Sequence, residues 1–264
     1  MKRIFVFLLI FIMVFTSSAF SEGLKCPSCG SSLPEKALFC PYCGTQVVWT
    51  PSAPDKKDRN DYKIGDTLFF GSYEQDNDLN NGAEPVEWQI LDLKDGKAFL
   101  LSKYALDCQK YNSTLTAVTW DTSSLRVWLN EIFLRNTFSA EEQAKIITTK
   151  VDADTNPQWG FAPGNETDDK VFVLSISELE STILYKEGRK SIPTQYAVAQ
   201  GAYANGSFTA KAGEATCWTW LRTPGKGLNY AAYISYDGSV NYSGNRVSNN
   251  SCAVRPALWI ELDS

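Results

Sequence analysis

From residue 61 onward the chain alternates short apolar stretches with turn signals, without fixed-period repeats or long polar tracts. Strand patterning covers Thr67–Tyr73, residues 86–93 and Lys97–Ser102, and Asp95-Gly96 between the last two is a strong hairpin signal. A helix follows: Leu125, Trp128, Leu129, Ile132 and Phe133 recur at helical spacing as one apolar stripe, with cap residues at 121–124. Ser139 with Glu142 spells a capping box for a second helix reaching Ile147. Residues 170–174 read as a buried strand, Ser175 with Glu178 caps a helix running toward Tyr185, and 193–204 read as helical. The last third returns to strands at 217–222, at 231–236, in a short return after Asp237-Gly238, and at 253–261. Mostly antiparallel strands with a few helices predict an α+β domain over residues 61–264.

The amino terminus follows a different rule. Lys2 and Arg3 precede an unbroken apolar run over residues 4–15, followed by Thr16, Ser17, Ser18 and Ala19. This is the layout of a secretory signal peptide, and the run is shorter than the ~20 residues a bilayer core demands. Ala19-Phe20-Ser21 supplies a small-x-small cleavage site, which assigns residues 1–21 to the signal peptide and puts the mature start near Glu22. The expected location is extracytoplasmic: secreted, periplasmic or at the cell surface. The alternative is an uncleaved segment anchoring the protein, the one route by which a membrane enters this reading. A lipoprotein is set aside, because Leu24 and Lys25, not a small residue, precede Cys26.

Residues 22–46 carry Cys26-Pro-Ser-Cys29-Gly30 and Cys40-Pro-Tyr-Cys43-Gly44, two copies of one pattern. Each Cys-x-x-Cys lets one tight turn present two thiolates to a tetrahedral ion, and four sulfurs leave no position for water. Cys26, Cys29, Cys40 and Cys43 are therefore predicted to hold a structural zinc ion in a small four-cysteine zinc ribbon, whose folding is coupled to the metal. Disulfide pairing is the competing use of these thiols in an oxidising compartment. Residues 47–60, with two prolines and a charged run, read as a linker.

Charge and composition narrow the partners. The whole chain has a formal net charge of −5, and loss of Lys2 and Arg3 with the leader deepens it, so nucleic acid is not expected. The absence of histidine removes Ser-His-Asp and Cys-His catalysis and every His-containing metal site.

Several phrases carry a family resemblance: Phe70-Gly71-Ser72-Tyr73-Glu74-Gln75, Glu84-Pro85-Val86-Glu87-Trp88, Leu125-Arg126-Val127-Trp128-Leu129-Asn130, Trp220-Leu221-Arg222-Thr223-Pro224-Gly225 and Val254-Arg255-Pro256-Ala257-Leu258. Across roughly residues 62–262 the chain resembles a bacterial domain-of-unknown-function family, DUF6273, which is often attached to zinc ribbons. The resemblance implies a C-type-lectin-like fold, shared with formylglycine-generating enzymes and diversity-generating variable proteins. It transfers no activity. The chain lacks the Glu-Pro-Asn and Trp-Asn-Asp calcium signatures of true C-type lectins, so calcium-dependent sugar binding is not implied.

Candidate chemistry concentrates between residues 229 and 251, where tyrosine, asparagine and serine dominate as in an antibody paratope. The candidate ligand-binding residues are Asn229, Tyr230, Tyr233 and Tyr236, then Asp237, Asn241 and Tyr242, then Asn245, Arg246, Asn249 and Asn250. A surface hairpin with polar turns explains the same composition. Trp218 and Trp220 would share one strand face with Arg222, where stacking on sugar competes with burial in the core, and Arg255 is expected to anchor a loop. Asp76, Asp78, Asn80, Gly82 and Glu87 imitate a calcium loop, with the glycine one position late and a strand after it. Cys217 and Cys252 are candidates for a disulfide that would leave Cys108 free, although spacing alone sets no geometry.

The expected function is extracytoplasmic recognition of a glycan or protein. Two alternatives stand beside it: a carboxylate-based or oxidative enzyme related to formylglycine-generating proteins, and a structural envelope or assembly component.

Overall fold

The alternation Val86, Trp88, Ile90 puts three fully buried side chains on one face of a strand, and the first sheet is built around it. The computed structural model describes residues 61–182, 184, 186–209 and 213–262, together with Ser31. The predicted leader, the four ribbon cysteines and the linker lie outside the described residues. Strand β1 (Thr67–Tyr73) pairs antiparallel with β2 (Glu84–Lys94), and β2 with β3 (Lys97–Ser102). The β2–β3 turn has positive φ at both Asp95 and Gly96, as a tight two-residue hairpin requires. A second special glycine, Gly71 at φ +71, sits in a register shift of β1. A Cβ there would meet the Phe138 ring at 2.6 Å.

Strand β4 (Asp107–Cys108) and a 3-10 turn (Trp120–Thr122) lead into helix α1 (Ser124–Trp128), capped by the Ser123 hydroxyl. A π turn (Leu129–Phe133) carries it into α2 (Leu134–Thr137). The wider turn rotates the predicted stripe: Leu125, Leu129 and Phe133 are buried, Trp128 is half-buried, and Ile132 is exposed. Helix α3 (Ala140–Lys145) has the expected capping box, and Glu142 also accepts from the Gly71 N–H at 3.0 Å, fastening the helix to β1.

Strands β5 (Thr149–Val151) and β6 (Thr167–Asp169) form a separate ribbon. Residues 170–174 are not a ladder strand. Residues 171–174 are buried, but the segment laces two sheets: Phe172 exchanges backbone hydrogen bonds with Ala257, and the Leu174 carbonyl accepts from Arg222 N–H. Helix α4 (Ile176–Ser181) has the Ser175/Glu178 capping box, α5 covers Lys186–Arg189, and α6 (Gln195–Ala199) is capped by Thr194. The helix expected over 193–204 is thus one short element, and β7 (Ala204–Thr209) begins at its predicted end, pairing with β8 (Ala215–Cys217).

The predicted strand 217–222 breaks at Trp218, after which β9 (Thr219–Pro224) enters a second sheet with β10 (Tyr230–Ile234) and β11 (Val240–Arg246). The expected strand 253–261 also divides. Pro256 has no N–H to give a ladder, and β12 (Ala253–Val254) before it and β13 (Ala257–Glu261) after it belong to different sheets. The first sheet has the order β1-β2-β3-β13, and the second β11-β10-β9-β12-β4, antiparallel except where β12 meets β9. Arg255 pins the corner by donating to the carbonyls of Ser102 and Gly188, while Ser102 N–H donates to Pro256 O. Burial brings the Arg255 pKa down to about 10, which leaves it charged at neutral pH.

Trp88, Trp220, Tyr111, Phe133 and Phe172 are the largest fully buried side chains. Their polar tips are satisfied by carbonyls where they have them: Trp88 by Phe70, Trp220 by Gln109, Tyr111 by Arg222. Arg222 itself is buried, paired through both terminal nitrogens with Glu178 and bonded to Val173 O at 3.1 Å. The described part of the molecule is an α+β arrangement of mostly antiparallel strands with few helices. Among the described residues no helix is long and apolar enough to cross a membrane.

Candidate functional site

The break in the strand at Trp218 is what separates the two tryptophans. Trp220 goes into the core, 1 % exposed, while Trp218 stays half-buried and gathers tyrosines from three other segments. Its ring centroid lies 6.0 Å from Tyr203, which precedes β7, 5.4 Å from Tyr233 in β10, and 5.9 Å from Tyr236 in the β10–β11 turn. The Trp218 and Tyr236 rings are stacked at 20°. Tyr203 is 51 % exposed and Tyr233 only 9 %, so the group grades from a buried backing to an open edge. The Trp218 indole nitrogen is shielded from solvent and has no hydrogen-bond partner among the described residues.

Local hydrogen bonds hold this face in place. The turn is closed by Ser235 N–H to Ser239 O and by Ser239 N–H and hydroxyl to the Asp237 carboxylate. Thr216 donates to the Tyr236 carbonyl at 2.7 Å. Asn241 donates to the Tyr233 hydroxyl at 3.0 Å and accepts from Gly244 N–H, which fixes both of its polar atoms. Burial holds the Tyr233 phenol above its ordinary pKa, so it remains a neutral hydroxyl.

The predicted stretch 229–251 is therefore not one surface. Tyr233, Tyr236, Asp237 and Asn241 meet at the aromatic face, but Tyr233 is interior instead of displayed. Tyr242 turns to Glu180, donating at 2.7 Å, a bond that raises its pKa. Tyr230 lies under Lys226, whose ammonium is 4.8 Å from the ring centroid, and Asn229 accepts from Val247 N–H through its backbone. Asn245 points its amide at Cys252 Sγ, Arg246 is exposed, and Asn249 spends its side-chain oxygen on the N–H groups of Ser251 and Cys252. Asn250 is exposed beside β4, at the far edge of the sheet from β11. Sequence reasoning missed Tyr203, a lone tyrosine placed in a stretch read as helix.

Other predicted groups settle elsewhere. The calcium-loop pattern does not converge: Glu87 is paired with Lys103 at 2.7 Å, and Asp78 bonds Asn80. The carboxylates that do lie together are Glu74, Asp76 and Glu84, with oxygens within 4.8 Å. Desolvation and the charges of Glu84 and Asp76 raise the Glu74 pKa, while the Asp78 N–H and Asn81 amide lower that of Asp76. Cys108, Cys217 and Cys252 are all buried and all thiols. Cys217 packs in a small alanine-lined cluster and Cys252 in the main core. Burial pushes the Cys108 thiol up to about 12 and raises the other two as well, so none is a thiolate at neutral pH.

The buried carboxylates among the described residues belong to separate networks. Asp107 accepts from the Tyr73 hydroxyl, Cys108 N–H and Gln109. Asp169 accepts from Trp120, Arg126 and Thr167.

A zinc-ribbon domain model matches residues 25–47, a stretch that contains all four of Cys26, Cys29, Cys40 and Cys43 and suits structural zinc. No curated protein and no solved structure matches the chain. The model of a domain of unknown function (DUF6273) matches residues 95–262, from the β2–β3 turn through β13. The phrases around Phe70 and Trp88 lie outside that match, although β1 and β2 complete the sheet to which β3 and β13 belong. With most of its length covered by that one model, the chain belongs to the DUF6273 family.

Proposed function

We propose that the protein is an extracytoplasmic recognition module, binding a glycan through the Tyr203–Trp218–Tyr236 face, with its zinc ribbon as a rigid adaptor. The observation that carries this reading is a graded aromatic cluster, open at Tyr203 and backed by Tyr233, beside a turn with fixed polar groups. Flat rings next to positioned donors and acceptors suit the mixed apolar and hydroxylated faces of a sugar, and tyrosine gives contact area at low entropic cost. Export is supported by the leader pattern, with an uncleaved anchor as its variant. A C-type-lectin-like fold is supported by two small, mostly antiparallel sheets joined by short helices and long loops. The acidic balance favours partners other than nucleic acid.

The test is a glycan and protein array probed with the full chain, wild type against Tyr203→Ala and Tyr236→Ala. Each change should weaken glycan binding about tenfold while circular dichroism stays unchanged. Retention of every array signal by both folded variants would remove the face from the binding site, and signals confined to proteins would replace glycan with protein as the ligand.

A further inference from the structure

The opposite edge of the five-stranded sheet carries a concavity. Cys108, Gln109 and Lys110 of β4 and its continuation, Ser113, the α1 residues Ser124, Leu125 and Trp128, and Asn250 line a cavity of about 350 Å³. Between β11 and β4 stand three strands, so this cavity is a different place from the face at the β10–β11 turn. Its size falls within the range of small-molecule sites, roughly 300–1,000 Å³.

Three features of the lining define what it can hold. Trp128 is half-buried, with one side of its indole packed on Phe133 at 5.5 Å between centroids. Its larger neighbours in the Leu-Arg-Val-Trp-Leu-Asn phrase are all committed to the fold. Arg126 pairs with Asp169, Asn130 bonds the 170–171 backbone, and Leu125 and Leu129 are core. Polar groups in the wall are already oriented. Gln109 donates its amide to buried Asp107, leaving its oxygen as an acceptor, and the Ser124 hydroxyl accepts from Ser113 N–H, leaving its proton to donate. Finally, the lining contains one charged residue, Lys110, and no carboxylate. Lys110 is exposed and makes no ion pair or hydrogen bond among the described residues.

We propose that this cavity binds a carboxylate-bearing sugar of the hexuronic acid class, its ring against Trp128 and its carboxylate on the Lys110 ammonium. An aromatic wall answers the apolar face of a pyranose, preset Gln109 and Ser124 answer its hydroxyls, and an unpaired cation in an acidic protein selects the anion. Asp107 does not compete for Lys110, because its oxygens are taken up by Tyr73, Cys108 N–H and Gln109.

The experiment is an NMR titration of the full chain with D-glucuronate and with D-glucose. Glucuronate should bind saturably, about tenfold more tightly than glucose, and shift amides in 109–113 and 124–128. Lys110→Gln, a surface change, should erase that preference while leaving the melting temperature unchanged, and Trp128→Leu should weaken both sugars about fivefold. Tyr203→Ala should leave glucuronate binding intact, which separates this site from the glycan face. Absence of saturable glucuronate binding, a preference that survives Lys110→Gln, or shifts confined to the Trp218 region would each overturn the proposal.

Discussion

Arg222 shows how much a single side chain decides here. Its guanidinium is 2 % exposed and balanced by Glu178, which also closes the capping box of α4. Glu178→Ala would leave the cation buried without its counter-charge, and urea denaturation should show a loss of about 3 kcal/mol. The double change Glu178→Leu with Arg222→Met should recover much of it, since removing both charges also removes the desolvation cost. At this scale the sequence is legible where a residue acts on its neighbours in the chain, as the capping serines Ser139 and Ser175 do. It is not legible where partners are distant. Trp218 and Trp220 look alike in the sequence, and their different fates follow from a strand break that only tertiary pairing creates. Tyr203 and Lys110 have no local signal at all, because what marks them is who stands beside them.

Among elements, β10 and β11 depend on a glycine. Gly244 has φ +76, and a Cβ on it would collide with the Ala231 carbonyl oxygen, where the register of the two strands shifts. Gly244→Ala should lower stability by roughly 1–3 kcal/mol, read as a drop in denaturation midpoint with an unchanged slope. A slope that changes with it would mean that the sheet opens separately from the rest. Periodicity reveals the long elements well: β1 and β3 occupy the expected residues, and β2 extends beyond the expected ones at both ends. Two- and three-residue strands such as β4, β5 and β6 are too short to show a period. The segment 170–174 misleads for the opposite reason, since its apolar run is buried between sheets without joining either ladder over its length.

For the whole molecule, a zinc ribbon of the kind matched over residues 25–47 would owe its stability to metal–thiolate bonds, whereas the larger domain has a packed core. Zinc analysis of the full chain should find one ion per molecule. A strong chelator should remove it while leaving the near-ultraviolet dichroism of the aromatic core unchanged. Purified protein without zinc would point to disulfides among the four cysteines.

The corner at Arg255-Pro256 ties the completion of one sheet to the completion of the other. One strand inserts between β9 and β4 and the next closes the edge beside β3, so both sheets are completed by the same stretch, 253–261. Without those residues β1–β2–β3 and β9–β10–β11 can still pair, but β4 is cut off from β9 and β3 keeps an open edge.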